Sequence, residues 1–467
     1  MFMKNGMEKN MKNKRLKLSF IIVSVMLAMP SMVYLVRNKG AYEFNIYYNF
    51  FLKDTSKILS TLVYLVLLVI LIKLFYKICK ENIFSSINEI IKFVACVGIV
   101  YILILPWTSS DIFYYMGVGE LDGVYKQNPY YVSMREYYDE NNIDDQILEK
   151  GANNCWGSTT VVYGPIAQIF FKICSMVSMK NVTIALMVFK IVNYLIHLVN
   201  TYLIYKISNK KKFALLYAIN PFILLEAISN VHNDVIMVLF ILLSLYYLIK
   251  KKNLMLSIIF LAFATGIKYF PILLLPIIIL YHYRKEKKVY IRLLRCIQYG
   301  IIFLAIMLLE YMPYYKDYKI FLAMIVQTER FSKSIYFMII QYIPSIYEYI
   351  RAVFILCFLL FYIEMCFNIL IEKNIVFYKI MKKYNFALIL FMLILTNFQI
   401  WYLIWLFPTI IWQSKKTIKW IIQLGLIMEI SNTAFMFFYE SSRFDIIFVM
   451  ITMALMILGI EERKVKT

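Results

Sequence analysis

Ser109-Ser110-Asp111-Ile112-Phe113-Tyr114-Tyr115 follows directly on the third long apolar run of the chain and opens its longest polar segment. Its meaning depends on what flanks it. Upstream, apolar runs cover about 18–36, 57–76 and 89–106, and each has the ~17–25 residues that a bilayer-spanning helix needs. The 467-residue chain is 62% hydrophobic with a mean hydropathy of +0.69, whereas soluble domains are roughly half apolar. A soluble globular domain is excluded, and the pattern predicts an all-α polytopic membrane protein.

Charge orients the runs. The formal net charge is +22, but the bases gather in short loops, as the positive-inside bias requires of cytoplasmic segments. Residues 1–17 carry Lys4, Lys9, Lys12, Lys14, Arg15 and Lys17. Later clusters stand at Lys210–Lys212, Lys250–Lys252, Arg284–Lys288, Lys379–Lys383, Lys415–Lys419 and Arg463–Lys466. Basic charge therefore reads as anchoring against membrane lipids, with no nucleic-acid partner. Residues 108–160 are the opposite, with nine acids (Asp111, Glu120, Asp122, Glu136, Asp139, Glu140, Asp144, Asp145, Glu149) against Lys126, Arg135 and Lys150. An acidic, aromatic-rich loop beside basic loops is the sign of an extracytoplasmic segment.

The run that follows Val162-Tyr163-Gly164-Pro165, to about 178, decides the remaining topology. If it crossed the membrane, Lys210–Lys212 would emerge on the wrong side. The reading is therefore an interfacial or re-entrant helix. The expected organisation is a basic cytoplasmic N-terminus (1–17), three transmembrane helices (18–107), an extracytoplasmic loop with that helix (108–181), a transmembrane bundle (182–460) and a cytoplasmic tail (461–467). About 12–14 transmembrane helices result, with spans at 213–228, 254–267, 269–283, 400–413 and 444–460 among them.

Seven cysteines without a CxxC pair, and three scattered histidines, indicate neither a disulfide framework nor a zinc site. His197 and His282 read as interior and interfacial residues. The topology gathers Asp111, His232-Asn233-Asp234, Lys268, Glu329-Arg330, the 397–405 stretch and Arg443 at the outer face. Ionisable residues in or beside spans are costly and mark functional sites. Two readings stand for Asn230-Val231-His232-Asn233-Asp234: a hydrated helix cap, or the lining of a polar substrate cavity. Lys268 either snorkels or pairs, or binds a lipid phosphate at the membrane surface. Gly266 and Pro271 break the helix around it.

These motifs, taken together, resemble those of GT-C-type glycosyltransferases, membrane enzymes that use polyprenyl-phosphate sugars. The likeness is to bacterial polyprenol-phosphate-mannose-dependent α-1,6-mannosyltransferases. The family's Ser-Asp-Val/Ile-Tyr-like element stands here at Asp111, followed by Asn128-Pro129-Tyr130, Trp156 and Tyr163-Gly164-Pro165. Asn220-Pro221-Phe222-Ile223-Leu224-Leu225-Glu226 leads into Asn230–Asp234, like the family's Asn-Pro…Glu…His-Asn-Asp segment. Gly266-Ile267-Lys268-Tyr269, Arg330-Phe331-Ser332 and Gln399-Ile400-Trp401-Tyr402-Leu403-Ile404-Trp405 resemble its later elements, with Ile400 where a proline is usual. The likeness runs from about 105 to 410.

The resemblance implies a GT-C-like helical bundle that transfers a hexose, mannose being the family's common sugar. The donor would be a polyprenyl-phosphate sugar. The acceptor would be a glycan, glycolipid or wall polymer at the extracytoplasmic face of a bacterial cell membrane. Attack by an acceptor hydroxyl on the anomeric carbon needs a carboxylate to take its proton. Asp111 fits this role, in a single inverting displacement. The departing phosphate needs positive charge, from Lys268, Arg330 and His232. Asn233 and Asp234 would hold sugar hydroxyls. Tyr130, Trp156, Tyr163 and Trp401 would meet the substrate, although belts of aromatic anchors are equally normal. A divalent metal at Asp111 and another outer acid is compatible with the chemistry, but no ligand spacing demands one. The rival functions are a transporter or flippase for lipid-linked saccharide and a glycan polymerase.

Overall fold

The computed structural model describes residues 2–38, 55–331, 334–372 and 375–437. Ser332, Arg443, the expected span at 444–460 and the Arg463–Lys466 cluster lie outside the described residues. Among the described residues the fold is all-helical, without a β-strand. Helix α1 (Phe2–Arg37) packs against both α2 (Thr55–Glu81) and α3 (Ile87–Leu103). The acidic segment folds into α4 (Asp111–Gly123), α5 (Met134–Asn141) and α6 (Gln146–Ala152). Its polar residues act as punctuation. Ser133 and Glu136 form a capping box at the start of α5, and the Asp145 carboxylate accepts from the Ile147 and Leu148 amides at the start of α6.

Next come α7 (Pro165–Val177) and α8 (Val182–Ser208), the latter a 27-residue post that touches α3, α7 and α11. A broken stretch follows: α9 (Lys211–Ala218), α10 (Pro221–Leu224), and a π-helical turn at Leu225–Ser229. Beyond it lie α11 (Asp234–Tyr246), α12 (Leu254–Thr265), α13 (Leu275–His282) and α14 (Val289–Tyr311). The chain continues through α15 (Leu322–Gln327), α16 (Ile335–Tyr342), α17 (Tyr347–Ile371), α18 (Phe377–Met392) and α19 (Lys415–Phe437).

The polytopic membrane class holds, but the spans are less regular than the apolar runs suggest. Among the described residues, five helical stretches are long and apolar enough to cross a membrane: Met7–Arg37, Leu62–Glu81, Val182–Ser208, Val289–Tyr311 and Pro344–Ile371. A sixth, α9 with Pro221–Ser229, bends by 54°. The stretch expected to span at 400–413 is two 3-10 segments, Ile400–Leu406 and Ile410–Trp412. The stretch 254–283 breaks between α12 and α13 around Gly266, Lys268 and Pro271. The break around Gly266, Lys268 and Pro271 falls between the runs expected at 254–267 and 269–283, whereas the hydropathy of 400–413 does not reveal its 3-10 segments. Irregular backbone among spans is tolerated where it is buried in protein or lines a cavity.

Helix α7 has 13 residues, about 20 Å at 1.5 Å per residue, short of a hydrocarbon core of about 30 Å. It lies along α4, where Gln168 donates to the Val118 carbonyl at 3.0 Å and Ser175 to that of Met116 at 2.9 Å. Lys172 pairs with Asp122 at 2.9 Å. Just beyond its far end, Lys180 reaches the Tyr125 hydroxyl at 3.1 Å. Both ends of α7 thus touch the acidic segment.

Candidate active site

Asp111 is the first residue of α4 and the chain brings it there under several restraints. The buried Lys190 of α8 donates to the carbonyls of Ile104, just past α3, and Ile228, in the π turn. One side chain thereby ties the strand leading to Asp111 to the turn leading to His232. Asn154 donates to the Ser110 carbonyl at 2.9 Å. Burial pushes the Asp111 carboxyl above the ordinary aspartate range. The nearby His232 and Lys268 and a hydrogen bond from Trp156 oppose that rise.

Two of the motifs meet directly. Gly164 and Gly266 pack backbone against backbone: a Cβ on Gly164 would lie 2.4 Å from the Gly266 carbonyl oxygen. The Ala167 amide donates to that oxygen at 3.1 Å, and the Gly164 amide to the Ile267 carbonyl at 3.4 Å. This contact sets Lys268 beside Tyr163, its ammonium 5.8 Å from the ring centre. The same ammonium is gripped by both oxygens of the fully buried Asp234, at 2.8 and 2.7 Å. Trp405 also donates to Asp234, and the Tyr402 ring lies 5.0 Å from the Lys268 ammonium. A compact ammonium has three N–H donors, so one remains for a ligand.

The 230–234 turn is strained. Val231 has φ 61°, a left-handed conformation that is a true outlier for a β-branched residue. Asn193 of α8 holds the turn by donating to the Ala227 and His232 carbonyls at 2.9 and 3.2 Å. His232 is fully buried, its ring stacked on Trp401 with centroids 3.6 Å apart. Its Nε2 lies 3.0 Å from Glu226 Oε2 and its Nδ1 3.7 Å from Asp111 Oδ2. The charged groups nearest its nitrogens are therefore acids.

Asp111, Trp156, Tyr163, Trp401, Tyr402 and Asn397 share an open cleft of about 460 Å³. Arg330 sits at its side, its guanidinium 4.6 Å from the Trp156 ring centre. Lys268 and Asp234 stand behind the aromatic wall formed by Tyr163, Tyr402 and Trp405. Two sequence-predicted residues are directed elsewhere. Tyr130 is buried, donates to the Tyr163 carbonyl at 2.9 Å and packs against Tyr311 and Tyr314. Asn233 lines a separate, largely apolar cavity with Tyr115, Phe171 and Ile236, and its side-chain amide has no hydrogen-bond partner among the described residues. His197 Nε2 donates to the Ala218 carbonyl at 3.0 Å, as an interior residue does. Among the described residues no three His, Cys, Asp or Glu side chains converge as metal ligands would.

Sequence reasoning passed over Glu226 as a site residue, although it was quoted within a motif, and missed Lys190 and Asn193 altogether. Their common signal was available: a polar or ionisable side chain inside an apolar run. The Asp111 cleft, with its carboxyl of raised proton affinity, nearby ammonium and aromatic walls, suits proton abstraction beside an anionic leaving group. No curated protein and no solved structure matches this chain. Residues 21–284, more than half of the chain, match the family model described as alpha-(1->6)-mannopyranosyltransferase, N-terminal domain; that stretch contains Asp111, Glu226, His232, Asp234 and Lys268, and the chain belongs to this family.

Proposed function

We propose that this protein is a GT-C-type mannosyltransferase of the bacterial cell membrane that works at the extracytoplasmic face. It takes mannose from a polyprenyl-phosphate donor and passes it to a glycan, glycolipid or wall-polymer acceptor. The observation that carries this reading is the mostly buried Asp111 carboxyl at the edge of an aromatic cleft, beside the Lys268–Asp234 pair, in a chain of the mannopyranosyltransferase family. The acidic charge of 108–160 and the contact of Lys180 with Tyr125 support a re-entrant α7 and an extracytoplasmic cleft.

In this mechanism the acceptor hydroxyl approaches the anomeric carbon on the face opposite the phosphate. Asp111 takes the hydroxyl proton as the new C–O bond forms, and inversion follows from the single displacement. Its raised proton affinity helps, because a base works best when its pKa approaches the operating pH. Lys268 and Arg330 stabilise the departing lipid phosphate. Asp234 holds Lys268 in place, while Trp156, Tyr163 and Trp401 pack on sugar faces.

The test is sugar transfer in isolated membranes from labelled polyprenyl-phosphate mannose, with wild type and Asp111→Asn at matched levels. The expected loss is roughly 10²–10⁴-fold, the usual contribution of a positioned base. Equal transfer by both proteins removes Asp111 from the mechanism. No transfer by wild type from mannosyl or glucosyl donors removes the donor class.

A further inference from the structure

Beyond a base and an aromatic wall, sugar transfer needs groups that hold the attacking sugar in register. The two residues expected from the sequence to hold sugar hydroxyls are engaged or turned away. Both Asp234 oxygens face Lys268, and one also accepts from Trp405. Asn233 lines the separate apolar cavity. The Asp111 cleft has polar groups of its own, because Gln327, Asn397, Gln399 and Thr159 line it together with Asp111. Apart from Asp111, every residue lining it is uncharged.

The fold delivers these amides from separate segments. Gln327 ends α15. Asn397 is buried and follows Thr396, whose carbonyl accepts from the Ser334 hydroxyl at 2.6 Å. Gln399 stands just before the 3-10 segment Ile400–Leu406, which carries Trp401, and its side chain does not cap that segment. It donates instead to Asn397 Oδ1 at 2.7 Å. Among the described residues neither of these side-chain amides makes another hydrogen bond. An amide has one accepting oxygen and two N–H donors, so the pair still offers the Gln399 carbonyl and the Asn397 NH2 group. Neighbouring hydroxyls on a sugar ring complement such a set, since each can both donate and accept. Gln327, Asn397 and Gln399 all lie outside the family match at 21–284, which contains Asp111 and Lys268.

We propose that the Asn397–Gln399 amide pair, together with Gln327, forms the subsite for the sugar that receives the transferred residue. These amides hold a neutral sugar by its ring hydroxyls while one further hydroxyl meets Asp111. This rests on Asp111 acting as the base. A base must lie within about 2.6–3.2 Å of the group whose proton it takes, so the sugar beside Asp111 is the receiving one and not the donor's. Trp156 and Trp401 offer apolar faces to the same ring. A uronic acid is disfavoured, because its carboxylate would enter a cleft whose lining charge is the Asp111 carboxylate. The family-matched stretch thus carries the base and the ammonium, while the choice of receiving sugar falls to residues outside it.

The test is binding to the purified protein without donor, read by quenching of tryptophan fluorescence, to which Trp156 and Trp401 contribute from within the cleft. The probe is the methyl glycoside of an α-linked mannose disaccharide. Wild type should bind it, and should bind a matched disaccharide ending in a uronic acid at least roughly 10-fold more weakly. Gln399→Met and Gln327→Met, both at partly exposed positions, should each raise the dissociation constant roughly 3- to 10-fold. Disaccharides lacking single ring hydroxyls give the sharper readout. Loss of the hydroxyl that Gln399 reads should weaken binding to wild type but not weaken Gln399→Met further. If the losses add for every hydroxyl, Gln399 has only a structural role and the proposal falls. It also falls if both variants bind like wild type, if the uronic acid binds as well as the neutral probe, or if wild type does not bind the neutral probe. In transfer assays with labelled polyprenyl-phosphate mannose, the variants should raise the KM for the disaccharide and not that for the donor. A rise in donor KM instead assigns the amides to the donor sugar and overturns the proposal. The binding arm needs neither donor nor base, so a wild type that transfers no sugar removes the reading of the enzyme, while binding separately decides the subsite.

Discussion

Replacing Gly164 with alanine tests the link between the fold and the cleft. The new Cβ would meet the Gly266 carbonyl oxygen at 2.4 Å, where ordinary contact begins near 3.4 Å, so the two backbones must part by about 1 Å. Overpacking of this kind costs about 1–3 kcal/mol. The separation also weakens the hydrogen bonds from Ala167 to Gly266 and from Gly164 to Ile267, each worth about 0.5–1.5 kcal/mol. A loss of about 2–6 kcal/mol is expected, read as a lower unfolding temperature in detergent. Function should suffer more. Gly266 leads straight into Lys268, and a misplacement of about 1 Å at a reacting site costs roughly 10²-fold in rate. The assay is mannosyl transfer at matched protein levels, with Gly300→Ala as control, because nothing lies within 4 Å of a Cβ there. Gly300 is inside α14, so its replacement should be neutral or stabilising by up to about 1 kcal/mol. If Gly164→Ala retains wild-type stability and transfer, the Gly164–Gly266 contact does not position Lys268.

Three further outcomes are expected. Lys268→Met leaves the buried Asp234 carboxylate with Trp405 alone and should destabilise the protein by about 3–5 kcal/mol; Asp234→Asn/Lys268→Met should recover much of that stability without recovering transfer. Glu120, in α4, is pushed up to about 8 by burial and by the facing Asp145 carboxylate. The folded state then binds more protons than the unfolded one between the ordinary glutamate value of 4.5 and about 8, so stability should fall as pH rises through that window, and Glu120→Gln should flatten the slope in chemical denaturation. A topology reporter at Lys180 should report the extracytoplasmic side, and a cytoplasmic signal would overturn the re-entrant placement of α7.

Much of the site was readable because its elements are local. Asp111 opens a polar segment after a long apolar run, and Lys268 stands between a glycine and a proline. Asn230 to Asp234 interrupt an apolar stretch with five residues, four of them polar. Each is a departure from hydropathy visible in a window of a few residues. Lys190 is also such a departure, but a single one, and its significance lies in bonding the carbonyls of Ile104 and Ile228, 86 and 38 positions away in sequence. Nothing local encodes that pairing. Similarly, His232 and Asn233 are neighbours in sequence, yet one faces Asp111 and the other a separate apolar cavity. The left-handed backbone at Val231 helps set these directions, and valine gives no warning of it.

By itself the sequence determined the membrane class, because burying this much apolar surface requires a bilayer, and it marked the acidic segment that bears Asp111. It also carries, over residues 21–284, the match to the mannopyranosyltransferase family. Only the tertiary structure decided which apolar runs stay whole and which break into 3-10, π and short α segments. Spans and breaks have the same composition and differ in what packs against them. Tertiary contact likewise joined Gly164 to Gly266 and Lys268 to Asp234, and set His232 between Asp111 and Glu226. These are long-range pairings, and side chains distant in the chain acquire their electrostatic roles only when folding removes the water between them.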